Sequence, residues 1–151
     1  MSSDLWSFSI NLYAKPGVES ACLALQADGA NVCLVLCGLW LEQRGVSCDE
    51  QKLQQLQHLA APWDTSVVQP LRALRTQCKK PALEDPRLGG LREQIKKLEL
   101  DAERLLLERL EATAKDWPTG QAADSAQWLR KLAGPANRDA LQQLRVAVSG
   151  A

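Results

Sequence analysis

The ten residues from Val32 to Leu41, Val-Cys-Leu-Val-Leu-Cys-Gly-Leu-Trp-Leu, carry no charge and no strongly polar side chain. A helix that is apolar on every face has to be surrounded by protein or by lipid. Ten residues at about 1.5 Å each reach roughly half of a ~30 Å hydrocarbon core, which excludes a membrane span. The pattern therefore predicts a buried central helix over about 31–45, capped by Asn31 and closed by Gly45, with other helices packed around it.

Composition supports the same class. Leucine occurs 26 times against 10 for Val and Ile together, so helix formers dominate strand formers. The expected fold is all-α, a single-domain helical bundle (1–151) of about seven or eight helices. A chain of 151 residues buries about two-thirds of its unfolded surface and needs no metal or disulfide to fold. Five cysteines (22, 33, 37, 48, 78), with no Cys-x-x-Cys, read as small buried hydrophobes of a reducing compartment. With no signal-peptide pattern and no membrane span, the expected location is the cytoplasm.

The first helix runs from a Ser2 or Ser3 cap to Ala14, and the second spans about 17–28. The fourth starts at Cys48-Asp49 and is interrupted by Pro62. A fifth begins at Trp63-Asp64 and runs to about Lys80, with a kink or split at Pro70. Residues 81–90 hold two Pro and two Gly and are expected as a loop. A long amphipathic helix follows over about 91–117, with an apolar seam at Leu91, Ile95, Leu98, Ala102 and Leu105 that could pair with a second copy in a homodimer. Two short helices, about 122–133 and 136–148, are expected within 118–151, separated by Gly134-Pro135.

Three segments, DLWSFSINLYAKPGVESACLALQ (4–26), GANVCLVLCGLWLEQRG (29–45) and APWDTSVVQPLRALR (61–75), resemble a family of small bacterial proteins that is a domain of unknown function. The resemblance implies an all-helical, cytosolic bacterial protein and carries no activity, cofactor or catalytic residue with it.

No catalytic constellation stands out. Cys33 and Cys37, at i and i+4, could present two sulfurs to a soft metal, but thiolate sites usually need four ligands, so core packing is preferred and no metal or cofactor is expected. His58, the sole histidine, falls among Gln51, Gln54 and Gln55 on a polar face. Glu99 and Glu103 share a helix face without a Glu-x-x-His partner and read as solvated ion-pair residues. The chain is thus expected to be no enzyme.

Charge is polarised although the net is zero: residues 62–97 carry eight basic and four acidic groups, residues 1–61 three basic and six acidic. Arg72, Arg75 and Lys79, with Lys80 beside them, form a basic stripe that suits an acidic partner or phosphates. Trp6, Trp40 and Trp63 serve either as core anchors or as the lining of an apolar ligand pocket. The preferred function is a non-enzymatic adaptor docking on another protein. The alternatives are binding of a small apolar ligand at the tryptophans and, less favoured, nucleic-acid binding through the basic stripe.

Overall fold

The computed structural model describes residues 4–120, 127–133 and 138–149. Among these there are nine α-helices and one π-helical turn, and no strand. They are α1 (Leu5–Tyr13), α2 (Val18–Ala27), α3 (Val32–Gln43), α4 (Glu50–Trp63), α5 (Gln69–Gln77), α6 (Lys79–Glu84), α7 (Pro86–Ala114), α8 (Gln127–Ala133) and α9 (Arg138–Ser149), with the π turn Asp64–Val68 joining α4 to α5.

The apolar run is α3, and every residue from Cys33 to Leu41 is buried. Asn31 caps it by accepting from the Leu34 N–H at 3.3 Å. At its other end Gly45 takes a φ of 69°, where a side chain would be strained, and the Val46 N–H reaches back to the Leu41 carbonyl. A Cβ at Gly45 would also stand 2.9 Å from the Gly120 nitrogen, so this glycine admits a second backbone. Helices α1, α2, α4, α7 and α8 all pack on α3. α8 comes in close at Gly38, where an added Cβ would lie 3.0 Å from Leu132 Cδ1. Trp128 of α8 is fully buried, and its indole N–H donates to the Val46 carbonyl at 2.7 Å.

Several expectations are corrected. The cap of α1 is Asp4, which accepts from the Ser7 N–H; Ser2 and Ser3 lie outside the described residues. Pro62 does not interrupt α4, which continues to Trp63. The disturbance instead comes just before Pro70, where the backbone widens into the π turn and the Gln69 N–H bonds five residues back to the Asp64 carbonyl. Pro70 has no N–H and its ring would meet the carbonyl four residues earlier, and a wider turn removes that conflict without ending the rod.

The expected loop at 81–90 is helical except at Asp85. Pro81 sits in the first turn of α6, where its missing N–H is not needed, and Pro86 is the first residue of α7. Asp85 caps α7 by accepting from the Arg87 N–H at 3.0 Å, and Gly89-Gly90 are carried within the helix. Residues 121–126 and 134–137, which include the expected start of the first short helix and the Gly134-Pro135 break, lie outside the described residues. No helix among the described residues is long and apolar enough to cross a membrane.

Candidate functional site

The stripe that α7 buries is not the expected seam. Ile95, Glu99, Ala102, Leu106 and Leu110, spaced by four, three, four and four, face the core, while Leu91, Leu98 and Leu105 are exposed. Of the proposed dimer seam, Ile95 and Ala102 are therefore spent on the chain's own interior. A carboxylate, Glu99, falls inside the buried stripe with only 8 % of its surface exposed. Buried carboxylates need partners, and α5 supplies them. Arg75 Nε donates to Glu99 Oε1 at 2.6 Å and Arg72 Nε to Glu99 Oε2 at 3.3 Å.

The basic stripe is thus divided, and the solvated ion-pair reading of Glu99 is corrected. Arg72 and Arg75 turn inward to α7, whereas Lys79 and Lys80 remain exposed. Gln26 of α2 presents its amide oxygen to Arg72, 2.7 Å from Nη2 and 3.0 Å from Nη1, the amide orientation that hydrogen bonding requires. Glu103 lies one turn beyond Glu99, with Arg72 Nη2 3.7 Å from its Oε1.

This polar cluster borders a cavity of about 460 Å³. Its base is Cys33 and Leu36 of α3; α1 contributes Trp6, Ser9, Ile10 and Tyr13, and α2 contributes Cys22, Leu23 and Gln26. Asp64 and Val68 of the π turn, Arg72 and Arg75 of α5, and Glu99, Leu100, Glu103 and Leu107 of α7 complete it. The π turn therefore does local work: it brings Asp64 and Val68 to the wall. Ser9, one of the lining residues, is 5 % exposed, and its buried Oγ has no hydrogen-bond partner.

Burial pushes the Glu103 carboxyl up to about 7, aided by the charge of Glu99 and a hydrogen bond with it, and opposed by Arg72 and Arg75. The same desolvation pushes the Tyr13 hydroxyl up to about 12, the Cys22 thiol up to about 11, and Cys33 well above the usual thiol range. At neutral pH these three are neutral, and the two thiols are poor nucleophiles. Cys37, fully buried on α3, is pushed up to about 12 by its own burial. All five cysteines are free, and among the described residues no three His, Cys, Asp or Glu side chains gather where they could hold a metal ion. His58 is exposed on α4.

Because Glu103 binds its proton more tightly in the folded state than at the ordinary value of 4.5, the proton stabilises the fold below about pH 7. Stability from this group is lost as pH rises through 7. Urea titrations at pH 5 and pH 8 are expected to show a gain at pH 5 on the order of 2 kcal/mol in the parent relative to Glu103→Gln, which has no such proton to bind.

The tryptophans do not form one cluster. Trp6 borders the cavity with Arg104 4.9 Å over its ring. Trp40 is buried in α3 with Arg44 over it at 4.5 Å, and the Trp63 indole N–H donates to the Ala102 carbonyl at 2.9 Å. Of the two readings for Trp6, Trp40 and Trp63, the shared ligand pocket does not hold, since only Trp6 is at the cavity, while Trp40 is a core anchor. Ser9, Gln26, Glu99 and Glu103 are the polar lining that sequence reasoning missed. One signal was present: Glu99 interrupts the apolar stripe of α7 at a core position.

Fold and cavity together define an all-helical protein with a partly open pocket, apolar along most of its wall and charged at one side. The chain belongs to the family described as Protein of unknown function (DUF2390), whose model matches residues 4–110. All three segments of the sequence resemblance lie inside that match, as do all the pocket residues. No curated protein and no solved structure matches the chain.

Proposed function

We propose that the chain binds a small, largely apolar molecule in the cavity between α1, α2, α3, α5 and α7. The observation that carries this reading is the cavity itself, about 460 Å³ of partly open space walled by five helices. That size falls in the ~300–1,000 Å³ range of small-molecule sites. Its wall is largely hydrophobic, with Trp6, Ile10, Leu23, Leu36, Leu100 and Leu107, and a few polar groups converge on it. Binding without chemistry is the simpler reading, because the pocket thiols are held protonated and the one histidine is elsewhere. The setting we infer is the reducing cytoplasm of a bacterium, where five free thiols persist.

The test uses N-phenylnaphthylamine, a neutral fluorophore that brightens in apolar surroundings. Saturable uptake of one probe per chain is expected. Leu100→Trp, a change at a half-exposed lining residue, is expected to weaken uptake roughly tenfold, about 1.4 kcal/mol, with little change in melting temperature. Absence of saturable uptake by the parent would remove this reading.

The protein-docking reading keeps one observation of its own, the exposed leucines 91, 98 and 105 at seven-residue spacing on α7. The occupant that spacing suits is α7 of a second copy. A monomer mass in solution at the highest attainable concentration would dismiss it.

A further inference from the structure

We propose that the ligand carries one ammonium group on its apolar body, held between the Glu103 carboxylate and the Ser9 hydroxyl. This rests on the ligand-binding reading above and adds the chemistry of the head group.

The charge balance of the wall points to a cation. Glu103 acts with Glu99 on its own helix, Arg72 and Arg75 from α5, Tyr13 from α1, Cys22 from α2 and Cys33 from α3, and Asp64 from the π turn lies on the same cavity wall. The phenol and both thiols are neutral at pH 7, which leaves three carboxylates against two guanidinium groups. With Glu103 ionised the pocket holds one uncompensated negative charge.

The hydrogen-bond inventory points the same way. Arg72 is engaged by Gln26 and Glu99, and Arg75 donates to both oxygens of Glu99, at 2.6 and 3.5 Å. An anionic ligand would compete with Glu99 for the same two guanidinium charges and add a fourth negative group to a wall that already holds three carboxylates. An ammonium group displaces only the Glu103 proton and its hydrogen bond with Glu99, and leaves both guanidinium groups in place. It meets two groups with open acceptor capacity: Glu103, whose closest ion-pair contact is the 3.7 Å approach of Arg72, and Ser9, whose Oγ is buried and unpartnered.

A proton now serves Glu103 as counter-charge near neutrality. An ammonium ligand takes over that role and releases the proton, so its affinity rises with pH through about 7. An anionic ligand would show the opposite slope.

Octylammonium, octanoate and octanol share one apolar tail, and the amine stays protonated at both pH 6 and pH 8. Displacement of N-phenylnaphthylamine from the full chain by each reads their relative affinities. Octylammonium is expected to bind roughly tenfold more tightly than octanoate at pH 8, and about tenfold more tightly at pH 8 than at pH 6. Glu103→Gln keeps the side-chain shape and is expected to abolish both the preference and the slope. Ser9→Ala removes the hydroxyl from a position that has no partner to lose, and is expected to weaken octylammonium several-fold while leaving octanol unchanged.

Octanoate binding as tightly as octylammonium at pH 8, or octylammonium affinity unchanged between the two pH values, overturns the ammonium assignment while the pocket reading stands. Should the probe itself not bind, both readings fall.

Discussion

Glu99→Ala is expected to lower the free energy of unfolding by about 3 kcal/mol, read from urea denaturation followed by circular dichroism. Glu99 is nearly fully buried on α7, and it is the carboxylate to which both Arg72 and Arg75 donate. The attraction within such a group is largely offset by the cost of taking the charges out of water. The loss therefore comes from two guanidinium groups deprived of their direct hydrogen-bonded carboxylate, with Glu103 no nearer to Arg72 than 3.7 Å. A companion follows from the same physics: the triple replacement Arg72→Met, Arg75→Leu, Glu99→Leu is expected to stay within about 1 kcal/mol of the parent, because no guanidinium is left unpaired and Glu103, without the arginines that favour its charge, keeps its proton. A loss below about 1 kcal/mol in Glu99→Ala alone would mean that water screens the arginines and that the cluster is a surface feature.

Trp128→Ala is expected to cost about 4 kcal/mol, which for a chain of this length lowers the melting temperature by roughly 10 °C. The indole is fully buried against α3, stacks on Trp117 with ring centroids 6.0 Å apart, and satisfies the Val46 carbonyl through its N–H. Removing it empties a large volume and leaves a buried acceptor unpaired. Trp128→Phe separates the two losses: it restores most of the volume and is expected to recover about half of the stability. The effect is notable because α8 lies outside the family match, which ends at residue 110. The closure of the core on Gly38 of α3 is supplied by a segment that the family model does not cover.

The central helix was legible because its signal is one-dimensional. Ten consecutive apolar residues cannot face water on any side, whatever surrounds them, and the structure buries nine of them, Cys33 to Leu41. Its boundaries were legible too, since Asn31 and Gly45 are cap residues whose roles depend only on the local chain.

The segment 81–90 was misread because proline and glycine were weighed by number and not by position. Pro81 and Pro86 both fall in first turns, where a helix has no use for the missing N–H, and Asp85 is the cap between them.

The pocket was the least legible part, as it is assembled from five helices whose contacts run between residues about 20 to 90 positions apart. Arg72 and Arg75 looked like a solvated stripe so long as their partners were unknown. The clue lay on the other helix, where Glu99 occupies a core position between Ile95 and Ala102. A carboxylate at an apolar register position implies a buried cation opposite, and two arginines at i and i+3 on a neighbouring helix satisfy that demand. Ser9 could not have been found this way, because a serine between apolar helix positions is ordinary until its hydroxyl is seen to lack a partner.

The most direct measurement is a crystal structure of the full chain grown with octylammonium. Expected is one molecule in the cavity between α1 and α7, its nitrogen within about 3 Å of the Glu103 carboxylate and of Ser9 Oγ, with the Arg72–Glu99–Arg75 cluster intact. A cavity closed by its own side chains, or octylammonium bound only on the outer surface, would contradict the claim that this helical core is built around a ligand site.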